Sequence, residues 1–130
     1  MERSEALRLA TLWTANTWAR LEKMYPGRLG TCPTVEISAR LKTTAGYCYW
    51  ERRHTKYSFD LFAEYTEEFR MDTIPHELAH QANWDMFKPT GNGCHDANWG
   101  AIMKRLGLEP NRTHNMVNTK HAARRAKIKV

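Results

Sequence analysis

The stretch Thr73-Ile74-Pro75-His76-Glu77-Leu78-Ala79-His80-Gln81-Ala82-Asn83-Trp84 decides how the chain is to be read. On a helix of about 3.6 residues per turn, His76 and His80 stand one above the other, and both imidazoles reach a single cation. Glu77 lies beside them, too far round the helix to be the natural third ligand. It is placed instead to take a proton from a water at that cation, as a general base. Leu78, Ala79, Ala82 and Met86 form an apolar stripe away from the histidines. That is the pattern of a helix packed on a core with its other face in a cleft.

A catalytic zinc site takes three protein ligands and keeps a fourth position open. A metzincin would carry Gly three residues after His80 and His six residues after it, but Asn83 and Met86 stand there. The next candidate is His95, in the Gly-rich segment Gly91-Asn-Gly-Cys-His-Asp-Ala-Asn-Trp-Gly100. Asp96 reads as the N-cap of a new helix with Ala97, Ile102, Met103 and Leu106 on its buried side. Such a helix folds back on the first and delivers one imidazole to the open side of the metal. Glu109 is the rival third ligand, and Cys94 neighbours the site in sequence.

These residues carry a family resemblance. His76-Glu77-x-x-His80, followed by His95-Asp96 and by Trp99 opening a helix, resembles the SprT-like metalloproteases, the group that includes Spartan. Thr44-Ala45-Gly46-Tyr47-Cys48 resembles the Ala-Gly-x-Cys strand of that family, and Tyr57-Ser-Phe-Asp-Leu61 resembles its next strand. The similarity spans about residues 31 to 108. It implies one Zn²⁺ held by His76, His80 and His95, with Glu77 as catalytic base. It also implies a sheet-edge strand beside the metal, where Ala45, Gly46 and Tyr47 contact an extended protein substrate through main-chain hydrogen bonds. The activity implied is a zinc endopeptidase acting on proteins bound or crosslinked to DNA. The alternative of another class is a nucleic-acid-binding module with a structural or non-catalytic zinc. Glu77 argues against it, because a structural site needs only ligands.

At 130 residues the chain is read as one domain over residues 1–110 followed by a basic tail over 111–130. The net charge of +6 matches the tail alone, where Arg112, Lys120, Arg124, Arg125, Lys127 and Lys129 occur without an acid. Such a cluster is an electrostatic footprint for the phosphates of DNA, single-stranded or structured. His114 and His121 in the tail read as solvated. Three cysteines without a Cys-x-x-Cys pair argue against both a disulfide framework and a zinc ribbon. No apolar run has the length to span a bilayer, and Met1 to Glu5 lead into an amphipathic segment. The expectation is an intracellular, cytoplasmic monomer with no membrane partner, associated with nucleoid or nucleus if its activity is coupled to DNA.

The fold expected is α+β, a small zincin-like domain with a short antiparallel sheet packed against helices. Ser4 to Tyr25 reads as an amphipathic helix capped by Ser4, with Leu7, Ala10, Trp13, Thr17, Leu21 and Met24 along one stripe and Pro26-Gly27 as its stop. Thr34 to Leu41, Gly46 to Trp50 and Tyr57 to Phe62 read as strands of a meander. Glu51 to Lys56, including a solvated His54, is the expected connecting loop. Thr66 is the expected N-cap of the metal helix. Pro75 then requires either a kink before His76 or a helix that begins near Asp72. Tyr47, Tyr49 and Arg40 are candidates for oxyanion stabilisation.

Overall fold

The computed structural model describes residues 1–89, 95–111 and 114–122. Its elements are α1 (Arg3–Met24), β1 (Thr34–Ser38), β2 (Gly46–Tyr49), β3 (His54–Ser58), α2 (Phe59–Glu64), α3 (Thr66–Glu68), α4 (Ile74–Phe87) and α5 (Ala97–Arg105). The α+β class is as expected, and no helix among the described residues is long and apolar enough to cross a membrane.

Along α1 the buried residues are Ala6, Ala10, Thr14, Trp18 and Leu21, spaced three or four apart. This stripe is rotated from the one expected: Leu7 is exposed, because the small Ala6 and Ala10 let the helix approach the core more closely. Glu2, not Ser4, is the N-cap residue. Trp18 is buried and donates its indole N–H to Gly30 O at 3.2 Å, while Trp13 stacks on Phe62 at 5.7 Å between centroids.

The sheet departs from the antiparallel meander. Its strand order is β1-β3-β2, with β1 parallel to β3 and β2 antiparallel to it. The connection after β1 steps across one strand position before β2 begins, and β3 fills the slot between them. Ser58 pins that connection, its N–H donating to Ala45 O and its hydroxyl to Leu41 O, both at 2.9 Å. The return from β2 to β3 is a tight 3₁₀ turn at Trp50–Arg52, with Arg53 left-handed at φ 52°.

Strand β3 begins at His54, so the charged stretch is no open loop. His54 Nδ1 lies 2.7 Å from Thr34 Oγ1, and its Nε2 lies 2.9 Å from Glu36 Oε1. The strand expected through Phe62 stops at Ser58, whose hydroxyl caps α2 by accepting from Leu61 N–H at 3.2 Å. Burial of the adjacent residues Leu61 and Phe62 suits a helix rather than an alternating strand.

Pro75 sits in the first turn of α4, preceded by a π-helical turn at Phe69–Thr73. A proline inside a helix lacks one N–H and crowds the carbonyl four residues back, and a wider turn relieves that crowding. Thr66 is not an N-cap, since its hydroxyl donates back to Phe62 O at 2.8 Å.

Helix α4 is tied to the sheet side by Arg53 and Asp85, paired at 2.6 and 2.8 Å through both guanidinium ends. Gly30 N–H and Gln81 Nε2 also donate to the Asp85 carboxylate, at 2.8 and 3.1 Å. Burial opposes this charge, but these three donors together hold Asp85 below the usual carboxylate range. The core lies between α1, the inner sheet face, α4 and α5, around Leu21, Tyr57, Phe62, Leu78, Trp99 and Met103.

Residues 114–122, read as part of a basic tail, run along the body. Tyr65 O–H donates to Val117 O at 2.8 Å, and the buried Asn118 donates to Lys42 O at 2.9 Å and Asp60 Oδ2 at 3.1 Å. His114 is exposed, with its Nε2 2.7 Å from Thr43 O.

Gly46 starts the edge strand against a buried ring, where an added Cβ would meet Tyr57 Cδ1 at 2.8 Å and Lys56 O at 3.2 Å. Gly46→Ala is therefore expected to destabilise the chain by about 1–3 kcal/mol, read as a lower thermal midpoint. An unchanged midpoint would show that the ring yields freely.

Candidate metal centre

Two helices supply the centre. His76 and His80 are one turn apart on α4, and His95 immediately precedes Asp96, the N-cap residue of α5. Asp96 Oδ1 accepts from Trp99 N–H at 2.9 Å and from Asn83 Nδ2 at 3.1 Å. One carboxylate oxygen thus caps α5 and fastens it to α4, which places His95 opposite the other two imidazoles.

The ligand atoms of the three histidines all lie within 4.8 Å of one another. His80 Nε2 stands 3.3 Å from His76 Nε2, and His95 Nε2 stands 3.2 Å from His76 Nε2. Nitrogens bound tetrahedrally to zinc are roughly 3.3–3.4 Å apart, given a zinc–nitrogen distance of about 2.0–2.1 Å. The spacing therefore fits zinc, and a set of three imidazoles favours it over calcium or magnesium. Burial first, and His95 second, pull His76 down to about 4, so its imidazole is neutral and its lone pair available at neutral pH.

Trp99 holds the rings from behind. It stacks on His80 at 5.3 Å and 14°, meets His76 and His95 edge-on at 4.9 and 4.6 Å, and donates its indole N–H to His76 O at 3.3 Å. The sequence marks Trp99 only as a residue of the new helix; nothing local distinguishes this role from core packing. Asn83, a polar residue on the buried side of α4, carries a clearer signal, since a buried amide needs a partner.

Glu77 is 7% exposed, with Oε2 3.7 Å from His76 Nε2. Burial raises its carboxyl to about 8. Tyr57 lies near enough for the Glu77 charge, after burial itself, to push the phenol well above its ordinary range.

The histidines and Glu77 open on a cleft of about 540 Å³ whose opposite wall is Thr43 to Cys48. Ala45, Gly46 and Tyr47 therefore face the centre across the cleft, and β2 is an edge strand as expected. Tyr47 is 49% exposed; Tyr49 instead packs on His54 beneath Arg52, and Arg40 does not line the cleft. Glu109 is exposed and outside the histidine cluster, which rules it out as third ligand. Of the basic residues expected to meet DNA, Lys120 is exposed, whereas Arg112, Arg124, Arg125, Lys127 and Lys129 lie outside the described residues, as does Cys94.

The SprT-like family matches residues 15–121. Protein SprT of Vibrio atlanticus is 34% identical over 85 residues, covering 63% of this chain and 48% of that protein. Protein SprT of Pseudomonas paraeruginosa is 30% identical over 97 residues, covering 73% and 58%. Protein SprT of Actinobacillus succinogenes is 28% identical over 108 residues, covering 81% and 60%. The chain thus spans about half the length of the curated relatives it matches. No solved structure matches it.

Zinc at a hundred times its dissociation constant is expected to stabilise the chain by about 2.7 kcal/mol. His95→Ala should lose most of that gain, and a midpoint that still rises with zinc in the variant would remove His95 from the ligand set. In the metal-free chain, Glu77 has a folded value of about 8 against an ordinary 4.5. Its contribution is fully present below the lower value and lost as pH rises through the upper one, at up to about 1.4 kcal/mol per unit. His76, depressed in the fold, acts in the opposite direction up to its ordinary 6.5. Glu77→Gln isolates the carboxyl. The stability of the variant minus that of the parent should grow between these limits and level off above pH 8, measured by urea denaturation across pH.

Proposed function

The chain belongs to the SprT-like family, and from that premise we propose that it is a zinc-dependent endopeptidase that cleaves proteins bound or crosslinked to DNA. The observation that carries the peptidase reading is the pairing of two features. Three imidazole nitrogens stand at zinc spacing on one wall of a cleft, and a buried carboxylate that is no ligand stands beside them.

His76, His80 and His95 would hold the zinc, which when bound would supply Lewis acidity toward a peptide carbonyl and lower the pKa of water towards neutrality. The remaining work belongs to the chain. Glu77 takes the proton released by the attacking water, holds it on its carboxyl, and returns it to the leaving nitrogen as the C–N bond breaks. Burial makes the protonated form easy to hold, while the positive charge of a metal held by the histidines would favour the ionised form before attack. The two influences oppose each other, which suits a group that must first accept and then give up a proton.

Strand β2 orients the substrate. Its outer edge borders the cleft, so an extended peptide pairs with β2 through main-chain hydrogen bonds and lies across the histidines. Tyr47, exposed on that strand, flanks the path. Main-chain pairing imposes little side-chain preference of its own. Support for DNA as partner comes from family membership and from the six basic residues without an acid in residues 111–130.

The zinc-loaded chain is expected to cleave an unfolded DNA-binding protein, faster with single-stranded DNA present. Glu77→Gln should bind zinc yet cleave at least about a hundredfold more slowly. Product bands on a denaturing gel read both. Full activity in Glu77→Gln would end the peptidase assignment, and a rate indifferent to DNA would remove the nucleic acid from it.

A further inference from the structure

Asp72 is an acid that the chemistry above does not use. It lies in the π-helical turn that leads into α4, four residues before His76, and its side chain lines the same cleft as His76, Glu77 and the edge strand. Among the described residues it makes no ion pair or side-chain hydrogen bond. Half-buried, it is shifted upward by burial, and no Lys or Arg among the described residues pairs with it. Two other aspartates that do have partners, Asp85 with Arg53 and Asp60 with Asn118 and Lys42, are held low instead. A half-buried carboxylate in the wall of a cleft, paired with no described residue, is suited to receive a positive charge from a bound molecule.

The dimensions of the cleft say where that charge sits on a substrate. Asp72 precedes His76 by about one helical turn, an advance of roughly 5–6 Å along the wall. An extended peptide advances about 3.3 Å per residue. A peptide paired with β2 and centred on the histidines therefore brings a side chain within about two residues of the cut bond against Asp72. Lysine and arginine have stems long enough to cross the cleft and end in the charge that this carboxylate lacks.

Building on the peptidase reading, we propose that Asp72 is the specificity-determining residue of the cleft, selecting a lysine or arginine side chain within about two residues of the scissile bond. This also fits the substrate class proposed above, since proteins that bind DNA are rich in these residues.

The test uses the full zinc-loaded chain and three unfolded fluorogenic peptides that differ only in carrying Lys, Gln or Glu on either side of the cleavage point. The parent is expected to favour the Lys peptide over the Gln peptide by about tenfold in kcat/KM, a preference that shrinks as salt is added. Asp72→Asn should bring the ratio near one, Asp72→Glu should restore it, and Asp72→Lys should invert the order so that the Glu peptide leads. A purely structural role would lower all three rates together and leave their ratios alone. A parent ratio near one, a salt-independent ratio, or a preference that survives Asp72→Asn overturns the assignment while leaving the peptidase reading intact. Failure to cleave any of the three peptides overturns the peptidase reading and this inference with it.

Discussion

The bridge between Arg53 and Asp85 sets the distance on which the site depends. Arg53 occupies the left-handed position at the turn into β3, and Asp85 lies near the end of α4. Their two-point contact, reinforced by Gly30 and Gln81, joins the strands to the metal helix at one end of the interface. An ion pair this withdrawn from water stabilises little on its own, because desolvation offsets much of its attraction, but breaking it would leave a buried charge. Its value is geometric. With the sheet held against one end of α4, the space along the rest of the helix becomes a cleft of defined width, bounded by the histidines and by β2.

A second fastening joins α5 to α4. Asp96 binds both the start of α5 and Asn83 on α4, so capping a helix and positioning His95 are one event. Trp99, one turn into α5, fills the space behind the imidazoles and bonds the His76 carbonyl. The three imidazoles are thereby held by neighbours outside the histidine cluster, an arrangement that fixes ring orientation.

What could be read from the chain beforehand follows from the range of the interactions involved. His76, Glu77 and His80 were legible because helical spacing is local, and His95 because the Asp96 cap beside it is local too. The order β1-β3-β2 was not, since it depends on a strand inserted between two that precede it in sequence. The end of β3 was displaced by the Ser58 cap: Tyr57 to Phe62 has the composition of a strand, and one hydroxyl oxygen turns its second half into a helix. Leu7 and Ala6 exchanged places on α1 because hydrophobicity ranks leucine first, whereas close packing of two elements ranks alanine first. Pro75 looked like an interruption of the metal helix and proved compatible with it, through a π turn that no residue pattern announces.

The outer edge of β2, which pairs with no strand among the described residues, has a consequence for timing. A strand partner must arrive already extended, and a folded protein has none to lend until part of it opens. On the proposed function, the chain would therefore respond to how often its target unfolds locally rather than to what the target is. A segment that opens at a cost of about 3 kcal/mol is exposed less than one hundredth of the time, and its cleavage slows in proportion. Intact neighbours would be spared by their own stability, and damaged or partly unravelled ones would mark themselves for cutting.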